Sequence, residues 1–167
     1  MDFEQYKDAT PTIASTARIF KNATLSGDIT IHDHVNIWFN ASLRGDMAPI
    51  TIGEGTNIQD NAVVHTNTGL PTHIGRNCTI GHGAIIHACT IGDECLIGMG
   101  SIILDGAVVE SGALVGAGTL VPPGKTVPAG MLVVGNPMRI VRPLTPEEQT
   151  QMKQNKDYYI QLMRDYK

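Results

Sequence analysis

Three histidines, His65, His82 and His87, share one stretch of the chain with Gln59 and Asp60, and Arg44 and Asp46 precede it. Imidazole is the commonest side-chain ligand for transition metals. Three histidines with one coordination position left open form a recurrent catalytic zinc set. A carboxylate beside such a ligand fixes its tautomer, and a metal-activated water is a nucleophile at neutral pH. Taken singly, each residue is an ordinary polar surface group, and His32, His34 and His73 are read that way. The chemistry depends on whether the fold brings the first set together.

The elements that must do so are visible in a period of six. Ile13, Ile19, Leu25, Ile31, Ile37 and Leu43 are spaced six apart, as are Ile52, Ile58 and Val64, and Ile74, Ile80 and Ile86. The longest run is Ile91, Ile97, Ile103, Val109, Val115, Val121, Val127 and Val133. Steps of 9, 10 and 5 residues join the runs. Four residues after the aliphatic the side chain is small, as at Ala41, Ala62, Cys78, Ala84, Cys95 and Ala107. A period of six fits neither a helix nor strands joined by hairpins; it fits a parallel β-helix of hexapeptide repeats, three per triangular coil. A β-sandwich would need turns of varied length and more aromatic filler. The expected fold is all-β, with a hexapeptide-repeat domain over 1–143. Thr145-Pro146-Glu147-Glu148 reads as a capping box with proline at the first helical position. Met152, Tyr159, Met163 and Tyr166 follow at helical spacing, so residues 144–167 are expected to form a C-terminal α-helix, over about 146–166, packed on the β-helix. Residues 1–12 read as a lead-in.

Residues one coil apart in such a fold stack about 4.8 Å apart, so register can be counted. Arg44, His65 and His87 each follow an aliphatic by one and fall in one outward column. Asp60 and His82 each follow by two and stack in another, preceded by Phe39 and followed by Met99. His82 is five extended residues before His87, about 15 Å at ~3.3 Å per residue. One protomer therefore does not gather all three histidines. Three prisms packed side by side about a threefold axis would set His82 of one against His65 and His87 of the next. Outward-facing Trp38 and Phe39 are expected to mark that interface.

Composition excludes other classes. Hydrophobic residues are 42% and aromatics 5%, with 18 glycines, too apolar for disorder and poor in helix formers. No apolar run approaches the roughly 18 residues of a membrane span. A net charge of -4 argues against a nucleic-acid partner. Three cysteines without a CxxC pair, and no leader-like start at Met1-Asp2-Phe3-Glu4, lead us to expect a cytoplasmic protein.

From about Ile13 to Pro143 the chain resembles the γ-class carbonic anhydrase-like proteins. The segments that carry the resemblance are Arg44-Gly45-Asp46, Gln59-Asp60-Asn61-Ala62-Val63-Val64-His65 and Gly81-His82-Gly83-Ala84-Ile85-Ile86-His87. The resemblance implies a left-handed β-helix and a homotrimer. It implies zinc, or iron or cobalt, bound by His65, His82 and His87 across subunit interfaces, and reversible CO2 hydration through hydroxide held on that metal. It also implies that Gln59 orients water or bicarbonate and that Arg44, Asp46 and Asp60 make interfacial ion pairs important for activity. Tyr159 corresponds to a tyrosine that some relatives place near the metal. The chain departs from the best-studied members at the loop after His65, where Thr66-Asn67-Thr68-Gly69-Leu70-Pro71-Thr72-His73 holds no carboxylate, and at Met47, where they carry a glutamate. Slow turnover is expected, with His73 a replacement proton shuttle only if it is not merely solvated. Competing functions are a metal-dependent thioesterase or other hydrolase, a coenzyme A-dependent hexapeptide acyltransferase, and a metal-containing protein without turnover. The paired histidines count against the acyltransferase, which needs only one as general base.

Overall fold

The computed structural model describes residues 2–166. Met1 and Lys167, the outermost positions of the two expected segments, lie outside the described residues. Each hexapeptide forms a short strand and a corner, and parallel pairing of strands between coils builds a solenoid of about seven turns. It has three walls. On the histidine wall, Ser42, Val63, Ile85, Ile102 and Leu120 stack outward over inward Leu43, Val64, Ile86, Ile103 and Val121. On the helix wall the outward column runs Arg18, Asn36, Asn57, Thr79, Leu96, Leu114 and Leu132. His73 lies on the third wall, between Thr51 and Thr90. One long strand, Ser42–Ile52, bends from the histidine wall onto the third wall.

The core is the inside of the prism. Of the twenty periodic aliphatics all are buried except Ile13, which packs partly against the rest. The small residues four positions on are buried with them, because the interior holds one branched and one small side chain per hexapeptide. Corners repeat in columns too. Asn40, Asn61, Gly83, Gly100 and Gly118 share a left-handed backbone, with φ between 59° and 68°, a region that asparagine and glycine tolerate best. Gly98 has a different reason to be glycine. A Cβ there would lie 2.5 Å from the Ala117 amide nitrogen in the next coil.

The last strand, Arg139–Pro143, pairs antiparallel with Met131–Val134 and ends the helix wall. Helix α1 spans Pro146–Asp165. Its start is fixed as the sequence predicts: the Thr145 hydroxyl accepts from the Glu148 amide at 3.2 Å, and Glu148 accepts from the Thr145 amide at 2.9 Å. Arg142 donates to both Glu148 oxygens, at 2.7 and 2.8 Å. At the other end Arg18 donates to the carbonyls of Met163 and Tyr166. Met152 and Met163 are buried under the helix.

The helix corrects one expectation. Trp38 is only 3% exposed. It stacks on Phe20 at 4.2 Å, receives Tyr159 and Tyr166 edge-on, and donates from Nε1 to Asn36 Oδ1 at 2.7 Å. Phe39 joins the same cluster. Trp38, read as outward-facing, is thus covered by α1 of its own chain, and its burial needs no second copy, while Phe39 stays partly exposed. The register count found their wall but carried no information about what covers it.

Two predictions follow from corners and cap. Gly100→Ala meets no atom within 4 Å and strains only a left-handed φ of 66°, a cost of about 1 kcal/mol. Gly98→Ala forces two coils apart and should cost about 3 kcal/mol; urea unfolding that ranks the two in the opposite order would contradict close coil contact. Arg142 and the Thr145 amide hold the Glu148 carboxyl at about 2, below its ordinary 4.5. The folded state therefore binds this proton less readily than the unfolded chain, and the stabilisation is complete above about 4.5 and lost as pH falls towards about 2. Thermal melts of the wild type and Glu148→Gln should differ at pH 6 and converge by about pH 2.

Candidate functional site

His65 and His87 end the strands Val63–His65 and Ile85–His87 and are direct partners across adjacent coils. Both side chains point outward because each follows an inward aliphatic. Arg44 stacks on His65 one coil earlier. The predicted column thus forms, and its rings face one another, with His65 Nδ1 3.1 Å from His87 Nε2. The outer nitrogen of each ring meets a carboxylate. His65 Nε2 lies 3.0 Å from Asp46 Oδ1, and His87 Nδ1 lies 2.5 Å from Asp105 Oδ1. Asp46 also receives Arg44, so this ion pair forms within one chain.

The proton positions follow from the partners. A carboxylate only accepts, so His65 carries hydrogen on Nε2 and His87 on Nδ1. The two remaining nitrogens both present lone pairs to each other at 3.1 Å. Two acceptors at that distance repel unless a cation or a proton lies between them. This donor set fits a divalent metal ion: two neutral imidazoles, each oriented by its own carboxylate.

The third histidine stands apart. His82 sits on the corner between the helix and histidine walls, next to Gly83 with φ of 66°. Asp60 Oδ2 from the previous coil lies 2.9 Å from its Nδ1, the stacked pair that the register count predicts. Its Nε2 lies 3.5 Å from the Tyr159 hydroxyl of α1, the outer limit of a hydrogen bond. Among the described residues of one chain, no three of His, Cys, Asp and Glu gather as a metal site, in keeping with the spacing argument. Gln59 is buried. Its Nε2 donates to Asn57 Oδ1 at 3.1 Å and its Oε1 accepts from the His82 amide at 3.2 Å, so in this chain it fixes the His82 backbone.

The carboxylates respond to these neighbours. Burial pushes the Asp46 carboxyl up, but hydrogen bonds with His65 and Arg44 and the Arg44 charge outweigh it and hold the group below its ordinary value. Asn67 and then His87 hold Asp105 low. Burial, with the Asp60 charge behind it, raises the Tyr159 phenol.

Asp105 and Asn67 escaped the sequence reading. The Ile86 coil is one residue short, so counting sets His87 level with Leu104. A search for carboxylates within one step of each histidine on the next coil would have found Asp105. Asn67, which donates to Asp105 Oδ2 at 2.7 Å, comes from the insertion after His65, where length gave no hint of direction.

A groove of about 410 Å³ runs from His82, Gln59 and Tyr159 along Leu96, Leu114 and Met99. A second cavity, of about 440 Å³, lies under α1 between Cys95, Met152 and Lys153 and includes none of the histidines. No helix among the described residues is long and apolar enough to cross a membrane.

Comparison with known proteins agrees with this architecture. Residues 71–104 and 88–123 match the Hexapep family, bacterial transferase hexapeptide (six repeats). A Methanocaldococcus jannaschii protein named "Probable carbonic anhydrase" is 46% identical over 150 residues, 90% of this chain and 94% of that one. A Geobacillus kaustophilus protein named "Carbonic anhydrase" is 46% identical over 66 residues, 40% of this chain, and the match spans only 36% of that protein. The crystal structure of a hexapeptide transferase family protein from Anaplasma phagocytophilum superposes with a TM-score of 0.96 at 44% identity, covering 99% of this chain and 98% of that one. With the relative named "Probable carbonic anhydrase" matched nearly end to end, the chain belongs to the γ-carbonic anhydrase-like family of hexapeptide-repeat proteins.

Proposed function

We propose that the protein is a carbonic anhydrase that hydrates CO2 reversibly at sites shared between subunits of a homotrimer. A divalent ion, zinc or alternatively iron or cobalt, would be held by His65 and His87 of one protomer and His82 of the partner subunit. The observation that carries the reading is the pair of opposed imidazole lone pairs, each backed by its own carboxylate. A metal bound there supplies a water activated at neutral pH. The chain's own residues do the rest. Asp46 and Asp105 hold the ring tautomers, and Arg44 steadies Asp46. Asp60 and Gln59 fix the side chain and backbone of His82. An outward apolar column of Val63, Ile85, Ile102 and Leu120 beside the histidines supports burial against a second copy.

A second reading rests on the groove at His82. CO2 needs little room, whereas about 410 Å³ lined by Leu96, Leu114 and Met99 suits an acyl chain whose carbonyl meets the same activated water. That makes hydrolysis of an acyl thioester the alternative reaction.

Purified protein should carry close to one divalent ion per chain and run as a trimer in solution. A metal-free protein with full activity, or a stable monomer with full activity, would overturn the proposal. His87→Ala should lower CO2 hydration by more than the roughly 10–100-fold typical of losing a carboxylate behind a ligand. Because loop 66–73 holds no carboxylate and His73 faces the third wall, the wild-type rate should rise with imidazole buffer concentration in stopped-flow assays. A metal-loaded wild type that cleaves acyl thioesters and leaves CO2 untouched would select the second reading.

Tyr159→Phe keeps the ring on Trp38 and removes only the hydroxyl near His82. Its rate should fall by far less than the roughly 100-fold that a general acid or base contributes; a loss of that size would give Tyr159 a catalytic role.

A further inference from the structure

The insertion after His65 has no part in the reaction proposed above, yet it is tied closely to the histidine site. Thr66 is buried and its hydroxyl accepts from the Ala48 amide at 3.2 Å. The Thr72 hydroxyl donates to the His65 carbonyl at 2.5 Å. Between them, Asn67 and Leu70 exchange backbone hydrogen bonds at 3.2 and 2.9 Å and close a tight loop. The loop therefore has a defined position relative to the rings.

Its one side chain directed at the site is Asn67, whose orientation is determined. The Thr68 amide donates to Asn67 Oδ1 at 2.8 Å. An amide N–H only donates, so that end is the oxygen and the other end is the NH2 group. The NH2 group donates to Asp105 Oδ2 at 2.7 Å, and Asp105 Oδ1 faces His87 Nδ1 at 2.5 Å. Each link leaves one choice for the next, from loop backbone to amide to carboxylate to imidazole. Neither Asp46 nor Asp60 has such a support from a dedicated loop; Asp46 leans on Arg44, which is half exposed.

We infer that Asn67 and Asp105 form a positioning relay that holds His87 as its Nδ1–H tautomer, presents Nε2 towards His65, and thereby sets the affinity of the site for a divalent metal. The tautomer claim stands on the hydrogen bonds alone. The affinity claim rests on the metal-site reading above. The insertion serves here to orient a ligand.

The test separates the two claims. In metal-free protein, long-range ¹⁵N–¹H correlation spectra should show His87 protonated on Nδ1. Asp105→Ala and Asn67→Ala should shift it towards the Nε2–H form that free imidazole side chains favour, while thermal midpoints stay near wild type. Asp105 holds its place through its backbone carbonyl, which accepts from the Gly124 amide at 2.9 Å and survives both changes. Zinc affinity, measured by competition with a chelator, should drop about 10–100-fold in Asp105→Ala and less in Asn67→Ala. A wild-type His87 protonated on Nε2, or an unchanged tautomer in Asp105→Ala, overturns the relay. A switched tautomer with undiminished zinc affinity overturns its control of binding. A wild type with the expected tautomer and no zinc affinity overturns the metal-site reading and leaves the relay in place.

Discussion

Everything in this molecule depends on one coil being stacked on the next at β-strand spacing. The interior accepts one branched aliphatic and one small side chain per hexapeptide, and the backbones of successive coils touch closely enough that Gly98 has no room for a Cβ. Stacking turns a three-dimensional arrangement into a count along the chain. A residue's wall and direction follow from its distance from the nearest inward aliphatic, and its neighbours lie one coil above and below. Insertions do not break the rule, because the strand Ser42–Ile52 and the loop after His65 absorb their extra residues at corners and return to register.

The rigid column brings two imidazoles into contact, and the carboxylates decide what that contact means. Without Asp46 and Asp105 the rings could share a hydrogen bond in either sense. With both outer nitrogens committed, two lone pairs face each other, and the arrangement favours a cation between them. His82 follows the same rule with Asp60 but on another corner. One prism thus carries three imidazole–carboxylate pairs divided over two of its edges.

The C-terminal helix concentrates what the prism leaves out. The interior has no room for rings, so the aromatics gather outside, where Phe20, Trp38, Tyr159 and Tyr166 pack between α1 and the helix wall. That packing also brings a phenol near His82 and bounds the groove along Leu96 and Leu114. The helix therefore helps to shape the approach to the candidate site as well as covering apolar surface.

Much of this was legible in the sequence. Periodicity located the walls, nineteen of the buried aliphatics, the Arg44–His65–His87 column and the Asp60–His82 pair. The capping box located the start of α1. These features are set by spacing along the chain, and spacing is what a sequence records directly. Other features depend on how far side chains reach between coils and on how separate elements dock. Asp105 reaches His87 because one coil is a residue short, and Asn67 reaches Asp105 because a loop folds back. Trp38 is buried because a distant helix lies over it, and Gln59 is engaged by a backbone amide one coil away. None of these has a period, so only the tertiary structure decided them.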